Sequence, residues 1–445
     1  MKKIIKNGQV FDGISDKLIN VDILINGKFI EEVGKIEINE KDVEIIDAKG
    51  YIVSPGFIDI HSHLREPGYE YKETILTGTQ AAAKGGFTTI CSMPTTIPAL
   101  DSYDSIEYLK DICADRAKVK VLPIGAVTEN REGEKIVEMK SLADAGAIGF
   151  SDDGEPVSDN NIMKTALEYS KMVSRPIMNH CDDRQINFKG QGVMNEGYLS
   201  QRLGCAGIPN AAEASMLSRD ILLAEMTGGN YHACHISAKQ SLDILKMAKS
   251  RGIKYTAEVT PHHLTLTEDF ILGAFEGDQK QIGENAYNTN AKVFPPLRTD
   301  KDILSMIEGI NDDLITIIAT DHAPHGFEDK MTTINQAAFG ISNFETSLGS
   351  VLAKVHLKQI ELTKILKCMT SNPASFLNKK IGRIEKNYPA DIAIFDLNKK
   401  WIVDTNNFVS KGKNTPINGT ELTGLITTTL VDGEIIYSIN GEFNE

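Results

Sequence analysis

Five short runs of this chain end in residues that bind metal ions or move protons. The run "FIDIHSHLREPG", residues 57–68, sets His61, His63 and Arg65 two apart. On a β-strand, residues i, i+2 and i+4 share one face. Two imidazoles and a guanidinium would therefore point the same way where the strand ends. Imidazoles on one face hold a divalent ion, and an arginine beyond them holds a carboxylate. Four further apolar runs close in the same style. Asp152 and Asp153 end "GFSDDG", His180 ends "IMNHCD", His232 and His235 end "YHACHIS", and Asp321, His322 and His325 end "IIATDHAPH". Ordinary loop residues would not gather at one end of so many strands. Four histidines and two aspartates suffice for two ions about 3.5 Å apart with a bridging carboxylate. Imidazole with carboxylate suits zinc, with manganese or cobalt as alternatives. Such a pair activates water near neutral pH and polarises a carbonyl. The reaction class is hydrolysis of an amide, or its reverse. Asp321 is placed to bind a metal and to pass a proton from the water to the leaving nitrogen.

Those residues need a scaffold that brings strand ends together. The middle of the chain alternates strand and helix. Eight apolar or β-branched runs can be read: "FIDIHSH", "FTTICSMP", "VKVLPIGAVT", "AIGFSDDG", "RPIMNHCD", "YHACHIS", "IKYTAEVT" and "LITIIATDHAP". Helix-like segments such as "ETILTGTQAAAKGG" and "AKQSLDILKMAKSRG" separate most of them. Buried parallel strands are continuously apolar, as these are. The fold class is α/β, a (β/α)8 TIM-type barrel, in which functional groups sit at the C-terminal strand ends. A doubly wound open sheet is the alternative, but no GxGxxG follows any strand. The first 55 residues and the tail read instead as short strands punctuated by NG, DG and KG turns, with "VDGEIIY" a hairpin. The expected organisation is a composite β-sandwich built from residues 1–55 and 377–445 around a barrel of residues 56–376.

Bulk properties exclude several function classes. The 445-residue chain carries a net charge of −14 and has a pI of about 5.3. No basic stripe appears, which argues against nucleic acid. "MKKIIKNGQVFDG" lacks the apolar stretch of a secretory signal, and no apolar run is long enough to cross a membrane. The six cysteines, 91, 113, 181, 205, 234 and 368, include no CxxC and read as reduced thiols in a cytoplasmic protein.

These motifs carry a resemblance. "IDIHSHLREPG" and "ATDHAPH", with "GFSDDGEP", "ACHIS", "AEVTPHHLTLTE", "FPPLR" and "SKGKNTP" in order, resemble the amidohydrolase superfamily, and within it the bacterial class I dihydroorotases, over nearly the whole length. The resemblance implies reversible closure of N-carbamoyl-L-aspartate to dihydroorotate in pyrimidine synthesis, with two zinc ions per chain. It implies that His61, His63 and Asp321 hold one metal, that His180 and His235 hold the other, and that Asp153 bridges them. Asp152 then buttresses the loop, His232 is a satisfied core residue, and His262 and His263 are structural. Arg65 and His325 would hold the substrate carboxylate, and the backbone at Phe339 and Gly340 would meet the ring. A homodimer, and association with an aspartate transcarbamoylase, are further family expectations. The fourth strand run, "GAIGFSDDG", has no lysine, whereas hydantoinases and allantoinases bridge their metals there with a carboxylated lysine.

Two positions depart from that pattern. Where the family shows "MPNT", this chain has "MPTT", so Thr95 takes the place of a substrate-binding asparagine. Before "PPLR", Phe294 replaces another asparagine. Threonine keeps one hydroxyl, and phenylalanine keeps nothing polar. Each lost hydrogen bond to a charged group costs roughly 1.5–3 kcal/mol. Three readings follow: a dihydroorotase in which Asn288 or Asn290 stands in, a paralogue acting on another carboxylate-bearing cyclic ureide or amide, or a catalytically silent subunit of a transcarbamoylase complex. Retention of all six metal-binding residues weighs against the last.

Overall fold

The structure is a computed structural model describing residues 2–37, 43–273, 282, 285–440 and 442–443. Among the described residues, seven of the eight runs read from the sequence form strands. Phe57–Ser62, Phe87–Ser92 and Lys120–Pro123 pair in parallel. Ile177–Asn179, Tyr231–Ala233, Thr256–Val259 and Ile317–Ile318 form a second parallel sheet. The fourth run is reduced to Phe150, which bridges Gly125 on one side and Ile177 on the other, both in parallel. Backbone bonds to both neighbours run from Ile148 to Ser151, and beyond them Asp152 turns to accept the backbone N–H groups of Val127 (2.8 Å) and Thr128 (3.1 Å). A further parallel bridge joins Ser62 to His322.

Helices cover the strands for identifiable reasons. Thr74 caps Ile75–Lys84 in a reciprocal box with Thr77, and the helix buries Ile75, Ala81 and Ala82. Lys239–Ser250 buries Leu242, Leu245 and Ala248, one stripe at helical spacing. The largest cluster of buried apolar residues runs from Phe57 and Phe87 through Phe150 and Ile177 to Val259 and Ile318.

The two ends of the chain meet. One six-stranded sheet contains Gln9–Val10 and Ile52–Pro55 beside Ile392–Ile402, Glu421–Val431, Glu434–Ser438 and Glu442–Phe443. Ile52–Pro55 pairs with Gln9–Val10 on one side and with Ile392–Ile402 on the other. The hairpin expected at "VDGEIIY" is present, and Asp432 and Gly433 take the left-handed conformation that its two-residue turn requires. A separate four-stranded sheet holds Lys2–Lys6, Asp22–Asn26, Phe29–Gly34 and Val43–Asp47. Ile5, Ile25 and Ile30 from the first end pack in one core with Ile392, Ile394 and Leu430 from the second. No helix among the described residues is long and apolar enough to cross a membrane.

Candidate active site

The strand ends bring the predicted metal-binding residues to one buried point. Asp153 lies at its centre. Its Oδ1 is 3.4 Å from His61 Nε2, 3.4 Å from His235 Nε2 and 3.7 Å from His180 Nδ1, while its Oδ2 is 3.3 Å from His63 Nε2. Asp321 Oδ1 is 3.1 Å from His63 Nε2 and 3.6 Å from His61 Nε2. Among the described residues three sets of atoms converge, His61 with His63 and Asp321, His61 with Asp153 and His235, and, behind them, His61 with Cys234 and Glu258. His61 Nε2 and Asp153 Oδ1 are buried and lack hydrogen-bond partners although they face one another. Buried polar atoms left in that state are costly, and a shared cation satisfies both. The donor set of imidazole and carboxylate fits divalent zinc or a similar ion.

Carboxylates behind the site orient it. Glu258 is fully buried and accepts from His61 Nδ1 at 2.6 Å, from His232 Nε2 at 3.1 Å and from the His235 backbone N–H at 3.1 Å. This orients the His61 ring, with Nδ1 as the donor to Glu258 and Nε2 turned toward Asp153. Burial opposes ionisation of Glu258, but His61 and His232 outweigh it and hold the carboxyl below the usual range. For His61, burial pulls the pKa down, yet Glu258 and Asp153 carry it well above the ordinary value. Burial pushes Asp321 up to about 6, against the pull of His61 and His235. Asp59 ties the first and last strands beneath the site, accepting from Thr320 N at 2.9 Å and from Thr320 Oγ1 at 2.6 Å. Arg65, His235 and Asp321 all have left-handed backbones, with φ of 65°, 30° and 46°. Such conformations cost roughly 1–3 kcal/mol each and persist only where the surroundings enforce them.

A cavity of about 250 Å³ opens beside these groups. Arg65, Thr95, Phe294, His325, Phe339 and Gly340 all line it, together with Tyr69, Lys72 and Arg131. A larger cavity of about 560 Å³, by Pro176, Asn230 and Tyr255, holds none of the predicted site residues. Thr95 is engaged: its Oγ1 is 2.7 Å from His63 Nδ1. A cation held at His63 Nε2 would make Nδ1–H the donor of this bond and leave the threonine proton to donate elsewhere. Phe294 packs its ring 4.3 Å from the His180 ring and 5.2 Å from the Phe339 ring. Arg65 Nε donates to the Pro324 carbonyl at 3.2 Å, and its Nη2 lies 3.3 Å from His325 Nε2. Burial pushes His325 down to about 3, so the ring is neutral, and Nε2 donates to the Phe339 carbonyl at 2.8 Å. The Gly340 N–H donates to the Lys292 carbonyl at 3.0 Å.

Asn288 and Asn290, read from the sequence as stand-ins for the missing asparagines, do not line the cavity. Asn288 caps a short 3-10 turn, accepting from Asn290 N at 3.1 Å and donating to the Phe270 carbonyl at 3.3 Å. Its side chain is consumed locally. Asp152 buttresses its loop, His232 is held by Glu258 and Thr256, and His263 by Thr260 and the Pro295 carbonyl. Glu258 was not singled out from the sequence. A carboxylate in the middle of the apolar run "YTAEVT" was the available signal.

Two buried lysines lock the cavity wall. Lys330 donates to the carbonyls of Thr289, Lys292 and Ala338 at 2.7–3.1 Å. Lys292 reaches back to those of Ile334 (2.7 Å) and Asn335 (3.1 Å), and its ammonium lies 4.3 Å from the Phe339 ring centroid. Each lysine thus grips the segment that carries the other. Burial drives Lys330 down to about 7 and Lys292 to about 8.

Residues 50–241 match the family model described as dihydro-orotase-like. The chain is 44% identical over 438 residues to a dihydroorotase of Thermoanaerobacter sp., covering 98% of this chain and 97% of that one. It is 42% identical over 441 residues to a dihydroorotase of Syntrophus aciditrophicus, covering 98% and 99%. Among solved structures, an L-hydantoinase (dihydropyrimidinase) of Arthrobacter aurescens superposes with a TM-score of 0.87 at 24% identity, over 100% of this chain and 97% of that one. A dihydropyrimidinase of Brevibacillus agri superposes with a TM-score of 0.85 at 21% identity, covering 100% and 96%. The structural likeness establishes a shared fold, and the sequence identities carry the narrower conclusion: the chain belongs to the dihydroorotase family.

Proposed function

We propose that this chain is a metal-dependent dihydroorotase, interconverting N-carbamoyl-L-aspartate and (S)-dihydroorotate in the synthesis of UMP. The observation that carries the reading is the buried convergence of His61, His63, His180 and His235 on Asp153, with Asp321 alongside and Arg65 across the cavity. The scaffold we assign is a closed (β/α)8 barrel of residues 56–376, with a β-sandwich formed by residues 1–55 and 377–445. His61, His63 and Asp321 would hold one zinc ion, His180 and His235 a second, and Asp153 would bridge them. Bound divalent ions supply Lewis acidity toward the ring carbonyl and an activated water.

The remaining work falls to the chain. Arg65 would pair with the substrate carboxylate, and its five donors suit that planar acceptor. The Thr95 hydroxyl, oriented by His63 Nδ1, would donate one hydrogen bond to the ring. Phe294 and Phe339 would cover the ring's apolar face and exclude water. Asp321 would take the proton from the attacking water on its carboxylate and deliver it to the amide nitrogen as that bond breaks. In the closing direction it would run the same proton backwards. A cytoplasmic homodimer, and association with an aspartate transcarbamoylase, belong to the same proposal. A second reading, a paralogue for a less polar carboxylate-bearing cyclic amide, draws on the apolar surface that Phe294 gives the cavity.

The test is turnover of both compounds by zinc-loaded protein, followed through the ring amide's ultraviolet absorbance. Metal-dependent activity in both directions at or above about 10⁴ M⁻¹s⁻¹ in kcat/KM, lost on chelation and in His61→Ala and Asp321→Ala, is the expected result. Absence of turnover with metal bound, but activity on a hydantoin or dihydropyrimidine, would transfer the chain to the second reading.

A further inference from the structure

Asn414 lies far from the metal-binding residues in sequence, on the segment "VSKGKNTP" that follows the long strand Ile392–Ile402. Its side chain is nevertheless buried against the substrate cavity and fully used. Oδ1 accepts from the His325 backbone N–H at 2.9 Å and from Ser342 Oγ at 3.0 Å. Nδ2 donates to the Ala323 carbonyl at 3.0 Å and the Gly340 carbonyl at 2.9 Å. Its own carbonyl accepts from Ser342 N at 2.9 Å. One carboxamide thus ties the loop that leaves the last strand, Ala323 to His325, to the adjoining segment Gly340 to Ser342, which that loop also meets through Ala323 N on the Ile341 carbonyl at 3.0 Å and His325 Nε2 on the Phe339 carbonyl at 2.8 Å. Ala323, His325 and Gly340 all line the cavity.

The segment that presents Asn414 is itself fixed. Val409 N donates to Glu345 Oε1 at 2.9 Å, and Lys411 N to Glu73 Oε1 at 3.2 Å. Gly412 lies so close to Pro324 that a Cβ there would be 2.4 Å from the proline Cβ. Gly340 is as constrained: its φ is 146°, and a Cβ would sit 2.7 Å from the Ala323 carbonyl oxygen. Two glycines therefore permit the close approach that Asn414 bridges, and neither position tolerates a side chain without moving the wall.

We infer that Asn414 is a positioning residue for substrate binding: its four side-chain bonds hold the His325 loop and the Phe339–Gly340 wall in register where the direct bonds between them are few. It touches neither metal nor substrate and acts through the backbone at Ala323, His325 and Gly340. This rests on the dihydroorotase reading for its choice of substrate. The wall lies beside the cavity and holds none of the reacting groups, so loosening it removes binding common to ground and transition states. That raises KM and leaves kcat near its value.

The test compares wild type with Asn414→Ala and Asn414→Asp in zinc-loaded, full-length protein. Asn414→Asp preserves volume and the acceptor but turns a carboxylate oxygen toward the two carbonyls. It carries the test if Asn414→Ala does not fold. The expected result is a KM for dihydroorotate raised at least about tenfold, with kcat within about threefold of wild type and zinc content unchanged. Amide hydrogen exchange at 338–342, measured without substrate, should also quicken relative to the strands. A purely structural role would lower Tm and leave both KM and local exchange as in wild type, and that outcome overturns the inference. If wild type itself does not turn over dihydroorotate, the functional reading fails. The exchange measurement then decides the role of Asn414 alone.

Discussion

Glu258 offers a sharp test of how the histidines proposed to bind metal are held. It receives His61 Nδ1 at 2.6 Å, His232 Nε2 at 3.1 Å and the His235 N–H at 3.1 Å, with no exposure to solvent. In Glu258→Gln the carbonyl oxygen can keep the contacts to His61 and His235. The amide then faces His232, whose Nε2 must become the acceptor, with Nδ1 donating to Thr256 Oγ1. What is lost is charge. A hydrogen bond to an ionised group contributes about 1.5–3 kcal/mol and a neutral one about 0.5–1.5. The expected deficit at His61 is therefore about 1–1.5 kcal/mol, close to a tenfold loss in metal affinity. Glu258→Ala frees the His61 ring altogether and should fall at or beyond the far end of the ten- to hundredfold range for loss of such a partner. Competition of each protein with a chromophoric zinc chelator measures this directly, and melting with and without zinc separates affinity from folding. A Glu258→Ala protein that folds and binds zinc within twofold of wild type would refute the role assigned to the carboxylate.

Two further outcomes are expected. Arg65→Ala should raise KM for dihydroorotate by ten- to a hundredfold or so, the equivalent of about 1.5–3 kcal/mol for one charge-assisted contact, while zinc content stays the same; steady-state kinetics beside metal analysis checks it. Lys330 concerns pH: its folded value of about 7 lies below the ordinary lysine value of about 10.4. Between those values the unfolded chain binds more protons, so this group makes stability rise with pH and its full penalty stands below about pH 7. Urea unfolding of wild type and Lys330→Met at pH 7 and 9 should therefore diverge, wild type gaining up to about 1.4 kcal/mol per pH unit relative to the variant.

Strand ends were readable because each element announces itself locally. A buried parallel strand must be apolar along its length, so the first polar residues after it mark its end, and His61, His180, His235 and Asp321 stand out there. The choice of Asp153 over Asp152 rested on resemblance, and the geometry supplies a physical reason: Asp152 is spent on Val127 and Thr128. The fourth run is shorter than its apolar text suggests, with backbone bonds to its neighbours only from Ile148 to Ser151. Glu258 and Asn414 were not singled out because their partners lie on other elements. No local pattern distinguishes a buried asparagine that joins two loops from one that caps a turn. Asn288 shows the reverse error, an asparagine-rich loop whose side chain serves its own turn.

The joining of both chain ends in one sheet has a consequence for biosynthesis. Ile52–Pro55 leads directly into the strand that carries His61 and His63, and it lies between Gln9–Val10 and Ile392–Ile402. A ribosome delivers the first of those neighbours before Ile52–Pro55 and the second only after the whole alternating middle of the chain has been made. Throughout that interval the nascent chain presents an apolar strand with one edge unpaired, the geometry that invites pairing with another chain. The part of the molecule that carries the candidate site thus depends on a strand made long after it to cover that edge, and crowded polysomes are where it is most exposed to misassociation.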